Sequence, residues 1–177
     1  MQNVQRGFTL LELLVTVAIL GIVAAATLPN LGSFMASERS DAFITELTKT
    51  IKYAKAKANA VDEIVVICPV KDIDAGGACE VDWSENPIVA FVDTDNNTNF
   101  SPANDQMIRV IDKAAEDDII QQAQGVGAIR IDGQGRLSQE HQFVFCPNGE
   151  GYTSTLQISV SGNTWKKGKN VLTCTTS

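Results

Sequence analysis

Between Phe8 and Ser37 of this 177-residue chain, only one side chain is charged, that of Glu12. The run opens Phe8-Thr9-Leu10-Leu11-Glu12-Leu13-Leu14-Val15-Thr16-Val17-Ala18-Ile19-Leu20. About 20 apolar residues in a helix cover the ~30 Å of a bilayer core, so the stretch predicts a membrane-spanning helix. The short polar segment ahead of it carries one positive charge, Arg6, which predicts that this end stays in the cytoplasm while the rest crosses.

Three arrangements fit such a start: a plain anchor, a secretory signal peptide cut near Ala24-Ala25-Ala26, or a short leader cut between Gly7 and Phe8. Glu12 separates them. A carboxylate near the middle of a helix in lipid costs about 2.5–3.5 kcal/mol. Neither a generic anchor nor a discarded signal peptide has a use for that cost. Cleavage after Gly7 supplies one, because it frees an amine on Phe8 one helical turn from Glu12. In a filament the carboxylate can pair with the amine of a neighbouring subunit. Glu12 also lies in the first turn, where the helix macrodipole favours negative charge.

Gly7-Phe8-Thr9-Leu10-Leu11-Glu12 resembles the leader junction of type IV pilins and type II secretion pseudopilins. The resemblance implies cleavage and N-methylation at Phe8 by a prepilin peptidase. It also implies a single pass through the inner membrane with the head in the periplasm, in contact with membrane lipid before assembly. An inner-membrane assembly platform would then move the subunit into an extracellular pilus or periplasmic pseudopilus, beside other major and minor pilins or pseudopilins.

The expected organisation is a leader over residues 1–7, a transmembrane or filament-core helix over 8–31, an amphipathic half over 32–61 and a β-rich head over 62–177. Pro29 is expected to kink or locally melt the helix. Beyond Ser37, Phe43, Leu47, Ile51, Ala54, Ala58 and Val61 recur at spacings of four and three, one apolar stripe. Lys49, Lys52, Lys55 and Lys57 fall largely on other faces and read as a solvated surface. One helix is expected from Phe8 to about Ala60. Short runs rich in branched residues follow, at 63–68, 88–92, 107–111, 128–131, 142–146, 156–160 and 171–174, the layout of antiparallel sheets. Asp132-Gly133-Gln134-Gly135 reads as a hairpin turn and Glu116-Asp117-Asp118 as a solvated loop.

Cys68, Cys79, Cys146 and Cys174 contain no C-x-x-C pair, and the one histidine, His141, is not at metal-ligand spacing from them. An even count behind an export signal predicts two disulfides, with three pairings open. The sequential pairing is expected, since Gly76 and Gly77 allow a tight loop between the first two cysteines. Asp93-Thr94-Asp95-Asn96-Asn97 imitates the start of a calcium loop. However, Thr98 stands where glycine is needed and Asn104 where a bidentate Glu is needed, so a turn is the better reading. His141 reads as a surface or strand-edge residue. No metal site, cofactor or catalytic constellation is indicated, and an enzyme is not expected.

Trp83, Ile88-Val89-Ala90-Phe91-Val92-Asp93 and Ile108-Arg109-Val110, with Cys68-Pro69 and Cys79 upstream, resemble the head of the GspH/FimT/FimU group of minor pilins and pseudopilins. The resemblance implies an α+β fold, a long N-terminal helix packed on two antiparallel sheets, in a low-abundance subunit near a filament tip. The leading expectation is a minor pilin of a type IV pilus that helps start assembly; the alternative is a GspH-like pseudopilin. Some FimT-related members bind DNA through Gly-Arg-x-Arg, where this chain has Gly162-Asn163-Thr164-Trp165 and no arginine. Lys166, Lys167 and Lys169 follow, and Trp165 is available to stack on a base. With a net charge of −7, DNA is the lesser alternative partner.

Overall fold

A computed structural model describes residues 8–27, 31–125, 127–147 and 153–167. The chain divides into two compact units, Met1–Met35 and Ala36–Ser177. The first contains α1 (Leu10–Thr27) and the opening of α2 (Leu31–Val61). The expected single helix is therefore described as two, and Pro29 lies outside the described residues, as do Gly7, Lys169, Cys174 and the whole expected run at 171–174. α1 has 18 residues, about 27 Å at the usual helical rise, just short of the ~30 Å hydrocarbon core. Among the described residues no helix is both long and apolar enough to cross a membrane.

From Ala36 onward α2 belongs to the second unit, with two four-stranded sheets. The strands are β1 (Val65–Pro69), β2 (Ile88–Val92), β3 (Gln106–Ile111), β4 (Ile119–Gln124), β5 (Ile129–Ile131), β6 (His141–Cys146), β7 (Ser154–Ile158) and β8 (Thr164–Lys167). One sheet runs β3-β2-β1-β5 and the other β4-β6-β7-β8, with every pairing antiparallel. The chain thus crosses from the first sheet to the second before β4, returns to the first for β5, and crosses again before β6.

The helical stripe explains why these layers join. Phe43, Leu47, Ile51, Ala54 and Ala58 are buried against Val65, Ile67, Ile88, Ala90 and Ile131 of one sheet and Phe143, Phe145, Leu156 and Ile158 of the other. Val61, at the end of the stripe, stays exposed. α2 stops there because Asp62 takes a left-handed φ of 56° while its N–H still reaches the Ala58 carbonyl at 2.8 Å. The far face of β1 and β2 is also covered: Val66, Cys68, Val89 and Phe91 form a second cluster with Val70 and Phe100. A sheet buried on both faces has no polar alternation, which is why Val65–Pro69 and Ile88–Val92 read as unbroken apolar runs.

Two strands of the head are absent from the expected set. The Ile-Ile-Gln-Gln stretch after Asp118 forms β4, and the basic stretch after Gly162 forms β8. Asp118 is not solvated: its side chain is 2% exposed and accepts both Nε and Nη2 of Arg39, at 3.0 and 3.1 Å. This two-point grip holds α2 to the start of β4, and the hydrogen bonds to Asp118 keep the Arg39 pKa above its ordinary value. Glu116 and Asp117 do face solvent. Lys55 also departs from the solvated-face reading, since its ammonium donates to the Ser161 carbonyl at 2.6 Å. The 132–135 turn is as expected, with Gly135 N–H donating to Asp132 O at 2.8 Å.

Gly162 sits under that lysine with φ +74°, and a Cβ there would lie 2.8 Å from the Gly135 carbonyl oxygen and 3.0 Å from Cδ of Lys55. Gly162→Ala therefore combines backbone strain with a clash against the backbone of the 132–135 turn. It is expected to lower stability by about 1–3 kcal/mol, measured by urea unfolding of the full chain in detergent.

Candidate functional site

The residues singled out at the N-terminus come together around the first turn of α1. Thr9 caps the helix: its Oγ1 accepts the Glu12 N–H at 3.3 Å, and its carbonyl accepts the Leu13 N–H at 3.2 Å. Thr9-Leu10-Leu11-Glu12 thus has the S/T-x-x-E spacing of a capping box. Phe8, immediately before the cap, is 81% exposed. The apolar side chains of α1, from Leu10 to Val23, are exposed on every face. A helix that is apolar all round needs an apolar environment or a bundle of partners. Thr16 is compatible with that, because its hydroxyl donates to the Leu13 carbonyl at 2.8 Å. Glu12 is the one group on this surface whose charge asks for a counter-charge.

In the head, Cys68 and Cys79 form the expected disulfide, eleven residues apart, with Cα atoms 5.5 Å from each other. Gly76 is needed inside that loop: its φ is +74° and a Cβ would meet the Phe100 carbonyl oxygen at 2.4 Å. Gly77 and Phe100 exchange backbone bonds, tying the loop to the 93–105 segment. Cys146 is disulfide-bonded as well.

The calcium-like segment gathers Asp93, Asp95 and Asp105, with one carboxylate oxygen from each inside a 4.8 Å span. Asp105, rather than Asn104, is the residue that returns to the cluster. The acids are held by donors within the loop. Asp93 accepts the N–H groups of Asn97 and Thr98, each at 3.0 Å, and faces Arg130 at 3.6 Å. Asp105 accepts Thr94 N–H at 3.1 Å and Ser101 N–H at 2.8 Å. Both oxygens of each buried acid thus serve backbone donors, the pattern of a self-capped turn.

The basic stretch does not form a free cationic patch among the described residues. β8 alternates, so Lys166 stands opposite buried Leu156 and Trp165 opposite Gln157. Lys166 pairs with Asp41 on α2, and Ser154 Oγ donates to the same carboxylate at 3.2 Å. Lys167 is half-buried, and Trp165 remains 42% exposed.

His141 is wholly buried, contrary to the surface reading. It opens β6, with Nδ1 3.0 Å from Nε2 of Gln122. Burial holds its pKa below the ordinary value, partly offset by the Gly125 carbonyl. The polar pair His141–Gln122 was not visible beforehand, because Gln122 sits in a strand whose glutamines gave no strand signal.

Residues 2–28 match the prokaryotic N-terminal methylation motif, and residues 44–162 match the type II transport protein GspH family. The fimbrial protein EcpC of Eikenella corrodens is 48% identical over 44 residues, 24% of this chain and 29% of that protein's length. The fold is similar to that of the type IV minor pilin FimU of Pseudomonas aeruginosa strain PAO1 in two crystal forms. The TM-scores are 0.54 and 0.51 at 18% identity, covering 76% and 72% of this chain and 92% of FimU each time.

Closing a loop of about a dozen residues stabilises a fold by about 3 kcal/mol through the unfolded chain. The Cys68→Ala/Cys79→Ala chain is therefore expected to lose about that amount in urea unfolding, with no change in where α2 contacts the sheets.

Proposed function

The chain belongs to the type II transport protein GspH family, and from that premise we propose that it is a minor pilin of a type IV pilus that helps start filament assembly near the tip. As a type IV pilin-like α+β protein with a methylation motif, it fits a membrane-anchored precursor that later joins a fibre. In this reading residues 1–7 are a leader removed after Gly7, Phe8 is methylated, and α1 passes from lipid into the fibre core. The β-rich head contacts other pilins. Its role is structural rather than enzymatic.

The carrying observation is Glu12, the one charge on an α1 whose apolar side chains are exposed all round. In lipid that charge is a liability; beside a free amine in an apolar bundle it becomes an attraction of several kcal/mol at low effective dielectric, so subunit transfer into the fibre is favoured. The 48% identity to a protein named fimbrial supports a pilus. The pseudopilin of a type II secretion system is the second reading, supported by the name of the matching family. DNA uptake is favoured less, because Lys166 is neutralised by Asp41.

Capping and assembly are separable by substitution. Glu12→Gln keeps the capping-box spacing and removes the charge, whereas Glu12→Ala removes both. Both variants are expected to be processed to a methylated Phe8, read by mass spectrometry, and both are expected to be lost from sheared fibres, read by immunoblot. Normal incorporation of Glu12→Gln would leave helix capping as the role of Glu12. A mature chain beginning at Thr27 would remove the filament reading altogether.

A further inference from the structure

The chain leaves the second sheet at Gln124, the end of β4, and enters the first at Ile129, the start of β5. Gln122 holds this short crossing. Its Oε1 accepts the Gly127 N–H at 2.8 Å, and its Nε2 donates to the Gly127 carbonyl at 3.0 Å. These two bonds fix which end of the amide carries hydrogens. The second hydrogen on Nε2 has one partner at hand, Nδ1 of His141, 3.0 Å away. An amide nitrogen can only donate, so Nδ1 accepts, and the ring of the folded chain is neutral with its proton on Nε2.

We propose that His141 is an acid-sensitive latch on this crossing: neutral, it anchors Gln122 and through it Gly127; protonated at Nδ1, it lets the crossing open. A proton taken from solvent occupies the Nδ1 lone pair, the ring gains one positive charge, and two donors then face each other. The hydrogen bond from Gln122 breaks. Gly125 lies close on that side, since a Cβ on it would lie 2.7 Å from Nδ1. Its carbonyl favours the protonated ring.

The surroundings make the charge costly. The ring is 0% exposed, its Nε2 has no hydrogen-bond partner, and Phe143 stacks beside it at 6.3 Å. The groups facing it are Gln122 from β4, Gly125 from the crossing, Phe143 from its own strand and Ile158 across on β7. Among the described residues no carboxylate, ammonium or guanidinium bonds the ring, and Glu140, its chain neighbour, is exposed. Because the folded pKa lies below the ordinary 6.5, the latch is fully held above the ordinary value. It is lost as pH falls through the depressed one. Between the two, the closed-to-open ratio falls by up to about tenfold per pH unit.

His141 is the one histidine in the chain, so its ring can be followed without assignment. The full chain, labelled with 15N-histidine in detergent micelles, is titrated by long-range 1H–15N spectroscopy from pH 8 to pH 4. The expected ring carries its proton on Nε2 and titrates below 6.5. Hydrogen exchange across residues 119–131, corrected for the intrinsic pH dependence, is expected to speed up several-fold between pH 7.5 and pH 5. In Gln122→Leu the midpoint is expected to rise toward 6.5 and the crossing to exchange quickly at both pH values. A proton on Nδ1 at neutral pH, a midpoint at or above 6.5, or exchange that ignores pH would overturn the latch.

Discussion

From Phe43 to Ala58, one face of α2 is apolar for four turns, and neither sheet closes without it. The residues that meet it come from both sheets: Val65, Ile67 and Ile131 on one side, Phe145, Leu156 and Ile158 on the other. Each fully buried Leu or Ile contributes about 1.5–3 kcal/mol by leaving water. Leu47 and Ile51, both at 0% exposure, therefore form the centre around which two otherwise separate sheets share a core. Ala54 and Ala58 matter for the opposite reason. Their small side chains let the strands come close to the helix where larger ones would hold them apart.

Hydrophobic contact alone does not set how α2 is turned or how far along it the sheets sit, because a greasy stripe can slide and rotate. Directional bonds on its flanks do that work. Arg39 is clasped by buried Asp118 ahead of β4, Asp41 receives Lys166 and Ser154 from β8 and β7, and Lys55 reaches the Ser161 carbonyl beyond β7. All of them use charged residues of α2, and one of these, Lys55, reads from sequence as part of a solvated face. Their value lies in register more than in strength, since partly exposed ion pairs contribute only about 0–1 kcal/mol each.

What could be read beforehand follows from that division. The α2 stripe, β1, β2, β3, β5, β6 and β7 announce themselves through apolar spacing or branched runs, and the Cys68–Cys79 loop through its cysteines and glycines. β4 stays hidden because Gln121 and Gln122 occupy strand positions, and the reason Gln122 is there is a hydrogen bond to a turn that folds back later. β8 hides behind lysines whose carboxylate partner lies 125 residues earlier in sequence, on α2. His141 looks peripheral by composition, and only the approach of β4 and the crossing buries it. For β8 and His141 the missing information is a partner far away in the chain; for β4 it is a side-chain bond to Gly127, five residues on, which strand propensity does not register.

The N-terminus reverses this balance. Its chemistry is legible in six consecutive residues, while its physical meaning depends on molecules other than this chain. Thr9 satisfies the Glu12 backbone N–H, so α1 can begin without help. The Glu12 carboxylate gains from the positive end of the helix dipole, worth about 0.3–1 kcal/mol, but that is well below the cost of about 2.5–3.5 kcal/mol for a carboxylate deep in hydrocarbon. In the proposed fibre, one charge-assisted contact with a neighbouring amine offsets the cost of holding that carboxylate in apolar surroundings. A surface made entirely of Leu, Val, Ile and Ala gains little by leaving lipid for other such surfaces. In the proposed filament role, that charge is what makes transfer from membrane to fibre directional.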